Sequence, residues 1–385
     1  MTRVALTKGS LRIPPTYFAV QHALELADEF EFEFFTMVAD IADAEIAERI
    51  RIHDASDGTP FESGRRAWSQ RERAIPLLFR RARRQLRDWA PHLIHQHFAN
   101  WSQLAVSSAE SLRVPMLLTL HGADVYVPLT PLSERSAFGK PTLRWHQRTV
   151  RRAFDEAARV LAVSEYLADV AVTAGADARR LAVHYQGIDT DLYRPSERTA
   201  DAPPRVVFVG ALSQAKGIQD LVTASVEIAR TTPHELVIVG DGPLRGSIEQ
   251  IASEQQHIEV RGQLDRQGVR AALAGATVFV LPTQKSGRWR EAAGLVSLEA
   301  QASGVPAIVY DSGGAAEMLS DGNTGIVVEE GNIGALADAI RSVIELPGNE
   351  WSAMSARARE FVVAERSLRA SAQELSAHYL DMTGN

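Results

Sequence analysis

The sequence predicts an α/β protein of two domains, each a parallel sheet wound by helices. Short apolar runs at 3–6 and 205–209 end near a glycine turn and lead into segments of helical spacing. The 385 residues exceed one ordinary core, so two domains of about 190 residues are the natural division. A polar stretch at about 194–204, closing on Pro203-Pro204, stands where the boundary is expected.

Composition narrows the function classes. At 45% hydrophobic, the chain can bury both cores. It has no cysteine, which excludes disulfides, thiolate metal sites and cysteine nucleophiles. A net charge of −7 argues against general nucleic-acid affinity. No run approaches the roughly 18 apolar residues of a membrane span, and no signal-peptide pattern opens the chain, so a cytoplasmic protein is expected. The charge is unevenly placed: residues 65–87 carry nine arginines against the single acid Glu72, whereas 25–48 carry nine acids and no basic residue.

In order, 3–6 reads as a buried strand, followed by the turn Lys8-Gly9-Ser10. After Pro14-Pro15 comes a helix with Phe18, Val20, Ala23 and Leu24 inward. Gly9 is either an ordinary turn glycine or a point where a ligand approaches the backbone. From Pro76, the residues Leu78, Phe79, Ala82, Leu86 and Trp89 recur at helical spacing opposite Arg80, Arg81, Arg83, Arg84 and Arg87. That basic face suits either solvent or an anionic membrane surface. Residues 92–97 form a strand on which His95 and His97 share a face and His92 points away; no carboxylate stands at ligand spacing, and no metal is expected. The buried strand 114–120 ends in His121-Gly-Ala-Asp124, and a histidine at the carboxyl edge of a parallel strand is placed for function. Residues 128–143 read as a long loop over that edge, suited to recognising an acceptor. A helix at 143–157, a strand at 159–163 and a further helix continue the alternation. Asp189-Thr-Asp191 reads as a turn rather than a metal-binding pair.

The second series opens with 205–210, and Lys216-Gly217 starts its next helix. The turn Gly240-Asp-Gly-Pro243 approaches a dinucleotide fingerprint, but Arg245 stands where the third glycine belongs. Strands follow at 258–262, 277–281 and 307–310, and the chain from Trp351 onward is helical in pattern.

The organising stretch is 288–314. Gly294 opens the apolar-periodic run Leu295, Val296, Leu298, Ala302, which Gly304 and Pro306 close. Glu291 lies in the loop before this helix and Glu299 inside it. Between them lie the free N–H groups of the first turn, a ready anion site. An acid on each side of a phosphate cradle suits a ligand anionic in the middle and hydroxylated at both ends, as a nucleotide-sugar is.

These residues resemble the retaining glycosyltransferases of family 4 (glycosyl transferases group 1). The likeness rests on Glu291 and Glu299 with GLVSLEAQASGVP and DSGGAAEML. It also rests on HGAD at 121–124, VSEYL at 163–167, GIDTDLYRP at 187–195, VGALSQAKG at 209–217 and VIVGDGP at 237–243. The resemblance implies the GT-B architecture of two facing Rossmann-like domains. It places an acceptor domain at 1–195, a donor domain at 196–365, and a final helix at 366–385 crossing back to the first. It implies metal-independent transfer of a sugar from a nucleotide diphosphate, UDP- or GDP-linked, to an acceptor hydroxyl with retention. No cofactor is implied; polysaccharide, glycolipid or glycoside biosynthesis is the expected setting. Glu291 would face the donor sugar and His121 would reach it from the opposite domain. Lys216 and the amides at Gly294 and Leu295 would hold the diphosphate. Glu299 would bind the ribose, Arg261 and Gln263 would lie beside the base, and Gly9 and Asp124 would lie on the acceptor side. Where the family often carries an arginine, Ala211 stands, and Arg288 or Arg290 is expected to supply the charge. The acceptor is hydroxylated and lipid-linked in one reading, with peripheral membrane contact through Arg80–Arg87. Competing readings are a non-transferring GT-B relative such as an epimerase, a catalytically silent nucleotide-sugar binder and, more distantly, a nicotinamide oxidoreductase.

Overall fold

A computed structural model describes every residue except 15, 134–138, 197–202 and 385. The chain divides into two compact units, Met1–Gln186 with Leu368–Asn385, and Gly187–Ser367. The change falls ahead of the expected boundary at 195, because the segment after Gln186 packs with the second unit. Ile188 pairs with Ser367, and the Arg359 guanidinium donates to the carbonyls of Thr190 and Tyr193. Part of the expected linker, 197–202, lies outside the described residues.

The first unit holds a seven-stranded parallel sheet. Its spatial order is Arg51–Asp54, Phe30–Thr36, Thr2–Thr7, Leu93–His97, Met116–Leu120, Arg159–Ala162, Leu181–Val183. The chain therefore winds outward from Thr2–Thr7 in one direction and, from Leu93, in the other. That reversal opens a crevice at the carboxyl ends of the two central strands. One strand here escapes a reading by charge alone. In Phe30–Thr36 acids alternate with phenylalanines, and Phe30, Phe34 and Phe35 are buried while Glu31 faces solvent. A small parallel pair, Ser10–Ile13 with Val38–Ile41, lies beside the sheet, and the helix expected after Pro15 spans Phe18–Glu25.

Helix Ile75–Trp89 buries Ile75, Leu78, Ala82 and Leu86 and turns its arginines outward. The helix expected to start at 143 runs Gly139–Glu156, so the loop before it is shorter than the sequence suggests; residues 134–138 of that loop lie outside the described residues. The helical pattern at the chain's end is two helices, Gly348–Glu365 and Leu368–Thr383. The last supplies Ala372, Leu375 and Tyr379 to the core of the first unit, against Val4, Phe30 and Leu93. The Tyr379 hydroxyl hydrogen-bonds His95 Nδ1 at 2.6 Å, and its ring stands edge-on to Phe30.

The second unit repeats the plan with six parallel strands, ordered Ile258–Gly262, Glu235–Val239, Arg205–Val209, Val278–Leu281, Ala307–Tyr310, Gly325–Val328. The reversal falls between Arg205–Val209 and Val278–Leu281. After Arg205, both strands consist of Val, Phe and Leu, as strands covered on both faces require. No helix among the described residues is long and apolar enough to cross a membrane.

Because Tyr379 joins the terminal helix to the sheet, Tyr379→Ala should lower the unfolding free energy by about 3–5 kcal/mol, the cost of other buried aromatic truncations. Tyr379→Phe should cost about 1–3 kcal/mol by leaving His95 Nδ1 without its partner. Urea titration of the two variants reads both values.

Candidate active site

In the second unit the predicted residues gather at the reversal of the sheet. Gly217 has φ +65, and a Cβ there would lie 1.8 Å from the Pro282 carbonyl oxygen. This close approach brings the Gln214–Lys216 turn against the end of strand Val278–Leu281. From there Lys216 Nζ forms an ion pair with Glu291 and lies 5.3 Å over the Trp289 ring. Glu291 is pinned in turn by the next loop. Gly314 N donates to its carbonyl at 2.8 Å, and a Cβ on Gly313, at φ +66, would come within 2.2 Å of the same oxygen. The sequence marked Gly313-Gly314 only as part of a motif; their use is to let two backbones touch behind Glu291.

Helix Leu295–Ala302 starts at Gly294, whose φ of 75 is left-handed and whose missing side chain leaves the first turn uncapped. Its first N–H groups therefore remain available for an anion. Two buried hydroxyls nearby in the sequence, Thr283 Oγ1 and Ser297 Oγ, make no hydrogen bond among the described residues. Buried polar groups are ordinarily paired, so such atoms point to a missing partner.

Glu299, half-buried one turn into the helix, hydrogen-bonds the hydroxyl of Tyr193, with Arg266 close to both. Burial pushes its carboxyl up to about 7, against the Tyr193 bond and the Arg266 charge. Tyr193 was missed in the sequence, where it read as part of a turn; no local pattern ties it to a residue so far along the chain. Gln263 lines a cavity of about 300 Å³ with Gly210, Ala211, Gly240, Asp241 and Leu264. Arg261, the other residue expected beside the base, pairs with Glu259 at 2.8 Å. Arg290 pairs with Glu330 at 2.8 Å.

In the first unit His121 follows strand Met116–Leu120. Its ring lies against Phe18 and Phe98, with centroids at 4.5 and 4.6 Å. Gln186 Nε2 donates to His121 Nδ1 at 3.2 Å, which puts the proton on Nε2, whence it bonds to His97 Nδ1 at 3.1 Å. Burial holds the imidazole well below its ordinary pKa, with the His97 and Lys8 charges adding to the shift. The ring is neutral at physiological pH and serves as a hydrogen-bonding group, not as a cation. Gln186 is a positioning residue that the sequence did not flag.

Asp124 is fully buried. Its carboxylate accepts from the backbone N–H of Ala99 at 2.9 Å, Gly122 at 3.0 Å and His121 at 3.3 Å. It fixes the turn that carries His121 and offers no surface to an acceptor. Gly9 is closely packed, since a Cβ there would lie 2.4 Å from Trp101 Cβ, and it also lines a small pocket with Lys8 and Ser10. His95 and His97 stack at 4.3 Å as expected of one strand face, and His92 accepts from Arg3 N elsewhere. No group of three histidines or acids among the described residues is arranged to hold a metal.

Two family models cover most of the chain. Glycosyltransferase Family 4 matches residues 18–192, and Glycosyl transferases group 1 matches 189–361. A Bacillus subtilis protein assigned as a teichuronic acid biosynthesis glycosyltransferase is 33% identical over 289 residues, which is 72% of this chain and 67% of that one. The alpha-maltose-1-phosphate synthase of Mycolicibacterium smegmatis is 30% identical, covering 72% of this chain and 74% of its own length. A GDP-mannose-dependent alpha-(1-6)-phosphatidylinositol monomannoside mannosyltransferase of Mycobacterium tuberculosis is 31% identical over 65% of each chain. Among solved structures, sucrose-phosphate synthase from Thermosynechococcus elongatus aligns with a TM-score of 0.76 at 21% identity over 100% of both chains. Anabaena Alr3699/HepE in complex with UDP aligns with 0.74 at 19% identity, over 99% of this chain and 100% of that one. At these identities the structures establish a shared fold.

Removing one hydrogen bond of about 0.5–1.5 kcal/mol frees the His121 tautomer, so Gln186→Leu should lower turnover roughly two- to twelve-fold. The ¹⁵N shifts of the His121 ring should move toward a tautomer mixture while the melting temperature stays near that of the parent. Unchanged ring shifts would contradict the positioning role.

Proposed function

The chain belongs to the glycosyl transferases group 1 and glycosyltransferase family 4, an enzyme family of GT-B architecture, and we propose that it transfers a sugar from a nucleotide diphosphate to an acceptor hydroxyl with retention and without a metal. One observation carries this reading: the uncapped start of helix Leu295–Ala302 is flanked by the Lys216–Glu291 pair on one side and Glu299 on the other. The helix start and Lys216 are the cationic groups that a diphosphate needs. Glu299 suits the ribose hydroxyls, and the cavity at Gln263 suits the base.

The transfer breaks the bond between the anomeric carbon and the leaving phosphate oxygen and forms one from that carbon to the acceptor oxygen. The acceptor proton passes to the departing diphosphate on the same face. Negative charge grows on the diphosphate as the old bond stretches, and Lys216 with the Gly294 and Leu295 amides stabilises it where a metal would otherwise serve. Glu291, held by Gly313 and Gly314, keeps Lys216 oriented before the donor arrives and orients the donor sugar afterwards. His121, in the first unit, is neutral and held in one tautomer between Gln186 and His97.

The setting we propose is synthesis of a surface polysaccharide, glycolipid or glycoside. The relatives named for teichuronic acid and for phosphatidylinositol monomannoside support it. The outward arginines Arg80–Arg87 suit peripheral contact with an anionic membrane on the cytoplasmic side.

With UDP- and GDP-sugars as donors, Lys216→Ala should lower kcat by about 10²–10³, the cost of one lost anion donor. Steady-state transfer or slow donor hydrolysis measures it, and a variant within about threefold of the parent would contradict the role of Lys216.

Glu299 supplies a pH test. Its raised pKa means the free protein gains stability from its neutral form below about 4.5, and loses that gain as pH rises through about 7. A ligand whose hydroxyls donate to the carboxylate has the opposite preference. Nucleoside diphosphate affinity should therefore rise between about pH 6 and pH 8, and Glu299→Gln should flatten that rise in calorimetric titrations.

A further inference from the structure

In the first unit the winding reverses between Thr2–Thr7 and Leu93–His97, and Lys8 and Phe98 follow directly on those strands. Open α/β sheets bind ligands at this point. A pocket of about 180 Å³ lies there, lined by Lys8, Ser10, Glu72, Phe98, Asn100 and Trp101. An ammonium, a carboxylate, a hydroxyl and an amide between two aromatic walls are the groups that bind a sugar ring. Ser10 Oγ donates to Glu72 Oε1 at 3.0 Å, and Lys8 Nζ donates to the Ser10 carbonyl and lies 5.3 Å over the Phe98 ring. Lys8 makes no ion pair within 4.0 Å among the described residues, and burial brings its pKa down to about 8, with Glu72 acting the other way. Such an ammonium gains from further oxygen ligands.

The backbone around the pocket is strained. Phe98 and Trp101 both take left-handed conformations, φ 63 and φ 67, which are uncommon for bulky residues and concentrate at functional sites. This geometry stands Trp101 upright against Gly9. Trp101 also lines a second cavity of about 200 Å³, with Met37, Ile75, Pro76, Phe79, Gln103 and Trp145. Trp145 is 38% exposed and Leu77, beside the slot in sequence, is 74% exposed. The slot lies at the start of the helix whose outer face carries Arg80–Arg87.

We propose that the two cavities are one acceptor subsite divided by Trp101. The polar pocket takes the acceptor sugar, and the slot takes an apolar substituent attached to it. The acceptor is thus an amphiphilic glycoside, not a free sugar. The inference rests on the glycosyltransferase reading and adds the acceptor's chemical class.

The test titrates the full chain with n-octyl glycosides of glucose, mannose, galactose and N-acetylglucosamine, below their micelle thresholds, against the matching methyl glycosides. UDP and GDP are titrated in parallel. At least one octyl glycoside should bind about tenfold or more tightly than its methyl partner. Phe79→Ser, or the surface variant Trp145→Ala, should remove that difference, whereas Lys8→Met should weaken both members of the pair alike; none should alter nucleoside diphosphate affinity. Equal affinities across every pair, or an octyl preference that survives both slot variants, would overturn the subsite. So would a Lys8→Met loss confined to UDP or GDP, since the lysine would then serve the donor. If neither nucleotide binds the parent protein, the glycosyltransferase reading falls with it; if one binds and the octyl series does not, only the subsite is lost.

Discussion

The contact between Lys216 and Glu291 is the constraint on which the rest of the second unit's site depends. Two charges drawn out of water gain little net stability from each other, so such a pair is weak evidence of a stabilising device. It is better understood through what holds it. Gly217 lets one loop press on the Pro282 carbonyl, and Gly313 lets another press on the Glu291 carbonyl. Neither approach tolerates a side chain. The two loops thereby fix an ammonium and a carboxylate ahead of an uncapped helix start, so the site is charged and oriented before any ligand arrives. Preorganisation of this kind is what stabilises a charge that grows during reaction.

The first unit solves a different problem. It buries several histidines, and burial, with neighbouring positive charges adding to it, drives them neutral. A neutral ring is useful only if its tautomer is set, and at His121 that is done by Gln186 on one nitrogen and His97 on the other. Asp124 fixes the turn beneath, and the terminal helix closes the same core through Tyr379 and Ser371, which bond His95 and His22. A helix from the far end of the chain is thus part of the structure that steadies the histidine network.

Much of this was legible in the sequence. The alternation of apolar runs, glycine turns and helical spacing gave both sheets, because fully covered parallel strands leave that pattern. The helix start between Glu291 and Glu299 was legible because capping signals are local. What escaped the sequence was set by contacts between distant residues. Tyr193 meets Glu299, Arg290 meets Glu330, and Gly9 yields to Trp101, none of which has a periodic trace. Asp124 looked like a ligand-facing acid because it follows His121 and Gly122; only the positions of the Ala99, His121 and Gly122 amides show that it turns inward. Strand Phe30–Thr36 was hidden by its acids, although its phenylalanines alternate with them.

The central claim is that a pyrophosphate sits at the start of helix Leu295–Ala302. A crystal structure of the protein with a bound nucleoside diphosphate tests it most directly. The account predicts pyrophosphate oxygens about 3 Å from the Gly294 and Leu295 amides, with Lys216 turned from Glu291 toward the phosphate. A nucleotide bound elsewhere, with the Lys216–Glu291 pair intact and that helix start untouched, would contradict it.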